Sequence, residues 1–260
     1  MLIVLSPAKK LDFGPAPLPA DLPLTEPAWP KEASRLARSM RNLSLRDLRG
    51  LMDLSDDLAR LNRDRFRAWA DDPAPDAVRP AMMAFAGDTY VGLDARTLGP
   101  DDLRYAQAHL RILSGLYGLL RPLDTIQPYR LEMGSRLKTR RGANLYDFWG
   151  DAIADRLTTE AAAVDTDTLI ACASEEYFHA ARRPALRLRV IQPVFLEEKA
   201  GQRSIVSFFA KRARGAMARF ILLNRVTDPA HLRDFDTGGY RWDAEASSPD
   251  RPVFVRHNLA

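Results

Sequence analysis

Short apolar runs that stop at a serine recur along this chain. Leu2-Ile-Val-Leu5 runs into Ser6-Pro7-Ala8-Lys9-Lys10, Leu110 to Leu113 runs into Ser114-Gly115, and Thr168 to Ala173 runs into Ser174-Glu175-Glu176-Tyr177. Apolar runs of this length, closed by turn-forming residues, predict buried strands. The fold class that follows is α/β, with α+β as the alternative: a mixed, largely parallel central sheet flanked by helices, and antiparallel hairpins toward the C-terminus. If the three strands are parallel neighbours, Ser6, Ser114 and Ser174 share one rim at the strand carboxyl ends. Ligands of open α/β sheets bind at such a rim, because loops converge there and helix N-termini point free N–H groups inward. The plainer reading is that each serine caps a helix or opens a turn.

Between these runs the pattern changes. The proline-rich stretch from Gly14 to Pro30 cannot form regular helix or central strand and predicts an extended surface connection. Lys31 to Met40 favours helix, and Leu51, Leu54, Leu58 and Leu61, three and four apart, predict one apolar stripe packed in the core, ending near Phe66 and Trp69. Asp71 to Pro80 is rich in turn residues. Ala81-Met-Met-Ala-Phe85 then predicts a buried strand running into Gly87-Asp88. Pro100-Asp101-Asp102 starts a helix that ends before Leu110, since proline suits a first turn and carboxylates favour the positive end of the helix dipole. Extending that helix through Leu113 would make Gly115-Leu-Tyr-Gly118 the turn of a helix-hairpin-helix. Pro122 leaves little room for a second helix, so the strand is preferred.

Further along, Val190 to Phe195 and Ser204 to Phe209 predict a strand pair joined through Glu197 to Gln202, and Tyr240 to Trp242 with Val253 to Val255 predicts another. Ala210 to Ile221 predicts an amphipathic helix with Ala213, Met217, Phe220, Ile221 and Asn224 on one side. Lys211, Arg212, Arg214 and Arg219 fall on the other with no nearby acid in sequence. Gly215 in its middle costs about 1 kcal/mol relative to alanine, which points to something close to the backbone there. With no repeat and no linker-like shift in composition, residues 1–260 are read as a single domain.

Composition changes this picture little. A hydrophobic content of 46% and a charged content of 28% are ordinary for a globular chain, and the formal net charge of +4 is mildly basic. A local cationic groove would still attract phosphates. With Cys172 alone, no internal disulfide or Cys-x-x-Cys pair can form. No run approaches the length of a membrane span and the first apolar run is too short for a signal peptide, so a cytoplasmic protein without a membrane partner is expected. Glu175 and His179 at i, i+4 are read as a surface contact, so no metal and no cofactor are expected. No Gly-x-Ser-x-Gly elbow and no Walker loop occurs. Asp88, Glu132, Glu175 and Glu176 are the carboxylates able to move a proton if desolvated at the rim.

Six blocks then carry a resemblance to a known family. Ser6-Pro-Ala-Lys-Lys-Leu-Asp12, Phe85-x-Gly87-Asp88-x-Tyr90-x-Gly92-Leu93, Leu113-Ser-Gly-Leu-Tyr-Gly118 through Gly134, Leu145-Tyr-Asp-Phe-Trp-Gly150, Ser174-x-Glu176-Tyr-Phe178 and Lys211-x-Ala-Arg-Gly215 stand in order over nearly the whole chain. The chain resembles the YaaA family of peroxide-stress proteins. The resemblance implies a cytosolic bacterial protein that limits peroxide damage, a link to control of free iron, and double-stranded DNA binding through a positively charged cleft and a helix-hairpin-helix element. Two departures stand out. Ala171-Cys-Ala-Ser174 replaces the family's usual Asn-Leu-Ala-Ser, and Ala216 replaces a larger residue.

Two functions follow. In the first, Ser6, Lys9, Lys10, Ser114, Gly115, Tyr117, Gly118, Arg121, Arg130, Ser174, Lys211, Arg212 and Arg214 bind phosphates of nucleic acid, with Gly115 and Gly118 bringing backbone N–H groups close. In the second, the rim is an enzyme pocket for a nucleotide or nucleoside. There the serines position the ligand, Tyr117 stacks on a base, and Glu176 or Asp88 transfers a proton. No obligate protein partner is expected, and nucleic-acid binding is preferred because no residue pair identifies a reaction.

Overall fold

The computed structural model describes residues 1–16 and 18–257. The first strand, β1 (Leu2–Leu5), is followed by the extended proline-rich connection, within which Pro17 lies outside the described residues. Three helices come next: α1 (Pro30–Arg41), α2 (Leu45–Met52) and α3 (Asp56–Ala68). Then come β2 (Arg79–Pro80), α4 (Ala81–Ala84), α5 (Asp88–Leu93), α6 (Pro100–His109), β3 (Leu110–Ser114), β4 (Gly118–Leu120) and β5 (Thr125–Ile126). The second half contains α7 (Leu145–Trp149), α8 (Ala152–Ala162), β6 (Thr168–Cys172), α9 (Glu175–Phe178), β7 (Arg189–Ile191), β8 (Val194–Lys199) and β9 (Gln202–Ser204). It closes with α10 (Ser207–Leu223), β10 (Tyr240–Ser248) and β11 (Arg251–His257).

The central sheet has the order β4-β3-β1-β6-β7, and β3, β1, β6 and β7 are parallel. Its three inner strands are buried along their full length, as strands covered by helices on both faces must be. Only β4 runs against its neighbour, as the return of a tight hairpin from β3. The second sheet has the order β10-β11-β8-β9, antiparallel apart from the β11–β8 pair. Trp242 lies opposite Phe254 there, so the expected C-terminal pair forms. One buried apolar cluster includes side chains of both sheets, among them Ile3, Ile112, Ile170, Phe195 and Phe254.

Three expectations are overturned. The leucine stripe is not one helix face: Asp53, in the left-handed region at φ 49°, ends α2, and Ser55 caps a new helix, which resets the angular register. Leu58 and Leu61 face solvent, while Leu48, Met52, Ala59, Asn62 and Phe66 turn inward. Ala81–Ala84 is a buried helical turn and not a strand; a segment buried on every side shows no period to tell the two apart. In the third case, Val190 to Phe195 is divided between β7 of the central sheet and β8 of the second, and β9 stops at Ser204 with Ser207 to Phe209 beginning α10, so the hairpin pairs β8 with Gln202–Ser204 alone.

Gly215 is explained by helix crossing. A Cβ at Gly215 would meet the Thr89 carbonyl oxygen of α5 at 1.7 Å, and one at Gly92 of α5 would meet the Arg212 carbonyl oxygen of α10 at 2.0 Å. The two glycines let these helix backbones touch, which places α10 against α5 and beside β1 and β6.

Candidate functional site

Leu5 lies opposite both Cys172 and Ile112, so β1, β6 and β3 end side by side. The Ser6 Oγ accepts the Ser174 N–H at 2.8 Å and donates to the Ser174 Oγ at 3.3 Å, tying together chain positions far apart in sequence. Tyr90 of α5 donates its hydroxyl to the Ser6 carbonyl oxygen at 3.1 Å. Ser174 also caps α9, its Oγ accepting the Tyr177 N–H, so the capping role and the shared rim coexist. Ser114 differs. It is fully buried, accepts the Tyr117 N–H at 3.0 Å and shares a 2.6 Å bond with the Tyr129 hydroxyl, so it holds the hairpin from within.

Above the serines, the segment from Tyr129 to Gly134 crosses the strand ends. Lys9 Nζ pairs with Glu132 at 2.8 Å, and Arg130 reaches the same carboxylate at 3.0 Å. Glu176 accepts the Gly134 N–H at 2.9 Å, and its own carbonyl takes the Tyr146 hydroxyl at 2.9 Å. Lys9, Ser6, Glu132, Ser174 and Glu176 therefore belong to one constellation. Asp88, half-buried, starts α5 next to Gly87, where a Cβ would stand 3.0 Å from the Ala8 side chain.

From α10, Arg214 reaches the end of β6. Burial lowers its pKa from the ordinary arginine value, while nearby Cys172 and Glu175 act in the opposite direction. Burial likewise pushes the Cys172 thiol up to about 12, which keeps it protonated and unreactive. Lys211 and Arg212 are exposed, as is Lys10, and none of the three side chains has a hydrogen-bond or ion-pair partner among the described residues. Arg219 leaves this face, donating to the Leu93 and Asp94 carbonyls at 3.1 and 2.8 Å and so closing the C-terminal end of α5.

Other expected site residues lie elsewhere. Because β4 runs antiparallel to β3, it carries Arg121 away from Ser114, to an ion pair with Asp124 at 3.3 Å. Gly115 and Gly118 are buried by packing and offer no open backbone. A Cβ at Gly115 would meet the Leu131 carbonyl at 2.4 Å, and Gly118, at φ +74°, abuts the Trp149 and Trp29 rings. The segment is a strand hairpin and forms no helix-hairpin-helix. Tyr117 is buried with its hydroxyl accepting the Gln127 N–H at 3.0 Å, and it borders a separate cavity of about 610 Å³ lined also by Ser34, Arg38, Trp69, Asp71 and Gln127. Glu175 and His179 take different partners, Arg182 at 3.1 Å and the edge of the Tyr146 ring.

Sequence reasoning passes over Tyr90, Tyr129 and Tyr146, whose hydroxyls knit the rim; three tyrosines beside glycines and prolines are the available signal. Burial raises the pKa of Tyr90, Tyr117, Tyr129 and Tyr177 above the ordinary value of 10. The fold thus favours their neutral form. The stability this contributes is present below the unfolded tyrosine pKa and is lost as pH rises beyond about 10. Tyrosinate absorbance in an alkaline titration should therefore rise for these groups together with cooperative unfolding. A smooth, independent titration of all seven tyrosines near pH 10 would contradict their burial.

A profile described as peroxide stress protein YaaA matches residues 1–246. The chain belongs to the YaaA peroxide-stress family. Relatives share nearly its whole length: a UPF0246 protein of Ruegeria pomeroyi is 60% identical over 256 residues, covering 98% of both chains. Another UPF0246 protein, from Roseobacter denitrificans, is 60% identical over 258 residues, again covering 98% of each. A third, from a Jannaschia species, is 55% identical over 260 residues, covering all of this chain and 98% of the relative. Among the described residues of this YaaA-family protein, no helix is long and apolar enough to cross a membrane.

Proposed function

We propose that this YaaA-family protein serves in peroxide stress by binding double-stranded DNA or other nucleic acid in the cytosol, limiting iron-dependent oxidative damage there. The contact face consists of Lys9 and Lys10 after β1 and Lys211, Arg212 and Arg214 on α10. The observation that carries this reading is that Lys10, Lys211 and Arg212 are exposed and without partners among the described residues, Lys10 following Ser6 of the rim and the other two standing on the helix packed beside β1 and β6. Cations held by no internal acid are available to phosphates, and such contacts are indifferent to base sequence. Arg130 contributes by positioning Glu132 against Lys9. Ser114, Gly115, Tyr117 and Gly118 are buried and Arg121 is half-buried in its ion pair with Asp124, so the proposed contact face is drawn without them.

Proton-transfer chemistry on a nucleotide at the strand ends has less support. Glu176 is engaged with the Gly134 N–H, and the expected stacking residue Tyr117 is buried.

Replacing Lys211 and Arg212 together by alanine is expected to weaken duplex binding alike for unrelated sequences. The slope of log K against log salt should become shallower by about 2, since each phosphate that a cation neutralises adds roughly 0.9 to it. Titrations of a labelled duplex at several salt concentrations measure this, and an unchanged slope removes both residues from the interface.

A further inference from the structure

We propose that Phe208 is a base-stacking residue, and that the segment entering α10 receives nucleic acid at a point where a base is unstacked. This rests on the nucleic-acid reading above and adds to it the kind of nucleic acid preferred.

The segment between β9 and α10 departs from the rest of the fold. Ile205 is 58% exposed, Phe208 50% and Val206 39%, three large apolar side chains within four residues and all open to water. Single exposed apolar residues are normal, whereas a contiguous group marks an interaction site. Phe208 is presented on an anchored support, because its neighbour Phe209 packs edge-on against it at 5.3 Å and lies under the Arg256 guanidinium at 3.9 Å.

The chemistry around Phe208 selects the partner. Lys211 and Arg212 stand three and four residues further along the same helix, the spacing that puts them beside Phe208 on the helix surface. Neither has a partner among the described residues. Val206, at the N-cap, supplies no side-chain hydrogen bond, so the first N–H groups of this 17-residue helix add to the positive character there. A flat apolar ring flanked by free cations matches a ligand with exposed ring faces strung on an anionic backbone. That is nucleic acid with at least one base out of its stack: a single strand, or a duplex with a bulge.

An anionic membrane would also answer to cations beside apolar groups, but α10 cannot lie on one. Beyond its first turn it buries Ala213, Met217 and Ile221 inside the protein, leaving too small an apolar face for insertion.

The test compares the intact protein with F208A, F208W and the Lys211/Arg212 double alanine variant. Fluorescence anisotropy measures binding to a labelled duplex, the same duplex with a one-nucleotide bulge, and one of its strands, at matched salt concentrations. Vesicles containing phosphatidylserine form a fourth arm. Thermal melts check that each variant is folded, as expected for a half-exposed position.

The expected result is tighter binding to the bulged duplex and the single strand, by about fivefold or more. F208A should abolish this preference without changing the salt slope, F208W should retain it, and the double variant should flatten the slope on all three nucleic acids. Salt-dependent binding without preference, or a preference that survives F208A, overturns the stacking role and leaves the nucleic-acid reading standing. Binding to none of the three overturns both. Vesicle binding that F208A abolishes, with no preference among the nucleic acids, replaces the proposal by a membrane contact.

Discussion

Replacing Gly215 by alanine is expected to destabilise the protein by more than about 3 kcal/mol, although the same change inside a helix ordinarily stabilises it by about 1 kcal/mol. The sign is reversed by a single contact. The added Cβ would stand 1.7 Å from the Thr89 carbonyl oxygen and 2.8 Å from the Leu93 nitrogen, both backbone atoms of α5, which no rotamer change can move aside. Relief requires α5 and α10 to separate along their length, and overpacking of that kind exceeds the usual range of about 1–3 kcal/mol for an inserted methyl group. Gly50 in α2 is the internal control. A Cβ there meets nothing within 4 Å, so G50A should stabilise by roughly 0.5–1 kcal/mol. Urea unfolding of the two variants should move the midpoint in opposite directions. A neutral G215A would mean that the helices do not cross as closely as described. Because α10 carries Lys211, Arg212 and Arg214, disruption of this crossing should also weaken the proposed nucleic-acid binding in whatever G215A protein remains folded.

The second large effect is expected at Arg111, on β3 within the central sheet. Its side chain is almost wholly buried and pairs with Glu160 of α8, while also donating to the Gln107 and Leu110 carbonyls at 3.0 and 2.6 Å. Burial lowers the pKa of this arginine, and the Glu160 charge opposes the change. Removing one partner leaves the other charge desolvated, so R111A should cost about 3–5 kcal/mol. Replacing both partners by methionine removes the two desolvated charges together and keeps much of the volume. R111M/E160M should therefore be clearly more stable than R111A, even though Arg156 gives up its 2.5 Å ion pair with Glu160. Denaturant midpoints with unchanged slopes would establish the order. A double variant as unstable as R111A would show that packing around Arg111, and not its charge, is what the fold needs.

The strands are legible where burial is uniform and punctuation strong. The apolar runs Leu2 to Leu5, Leu110 to Leu113 and Thr168 to Ala173, each closed by serine, form strands within one residue of those bounds, at Leu2–Leu5, Leu110–Ser114 and Thr168–Cys172. The helix start at Pro100 is legible because proline and first-turn carboxylates act locally, and the helix expected over Lys31 to Met40 forms as α1, begun one residue earlier by Pro30. Misreadings arise where local pattern is ambiguous. Ala81 to Ala84 is buried all round and has no period, and Ser204 to Phe209 looks strand-like because its apolar residues are exposed at a helix entrance.

For the candidate site, the convergence of Ser6 and Ser174 could be stated as a condition on strand order, and the parallel neighbours meet it. The fate of Ser114 and Arg121 could not, since it depends on β4 turning back antiparallel and on Tyr129 arriving from fifteen residues downstream to take the serine hydroxyl. Nor could sequence separate the four cations of α10, of which Arg219 closes a neighbouring helix while Lys211 and Arg212 stay free of partners among the described residues.

The sequence by itself determined the elements with strong local signatures, the amphipathic helix with its out-of-place glycine, and membership of the YaaA family through ordered blocks of residues. Tertiary structure alone decided which strand ends meet, which glycines serve helix contact, and which charges remain available. The division has one physical cause. Periodicity and capping are set by residues a few positions apart, whereas burial, pairing and pKa are set by side chains that only the folded chain brings within a few ångströms.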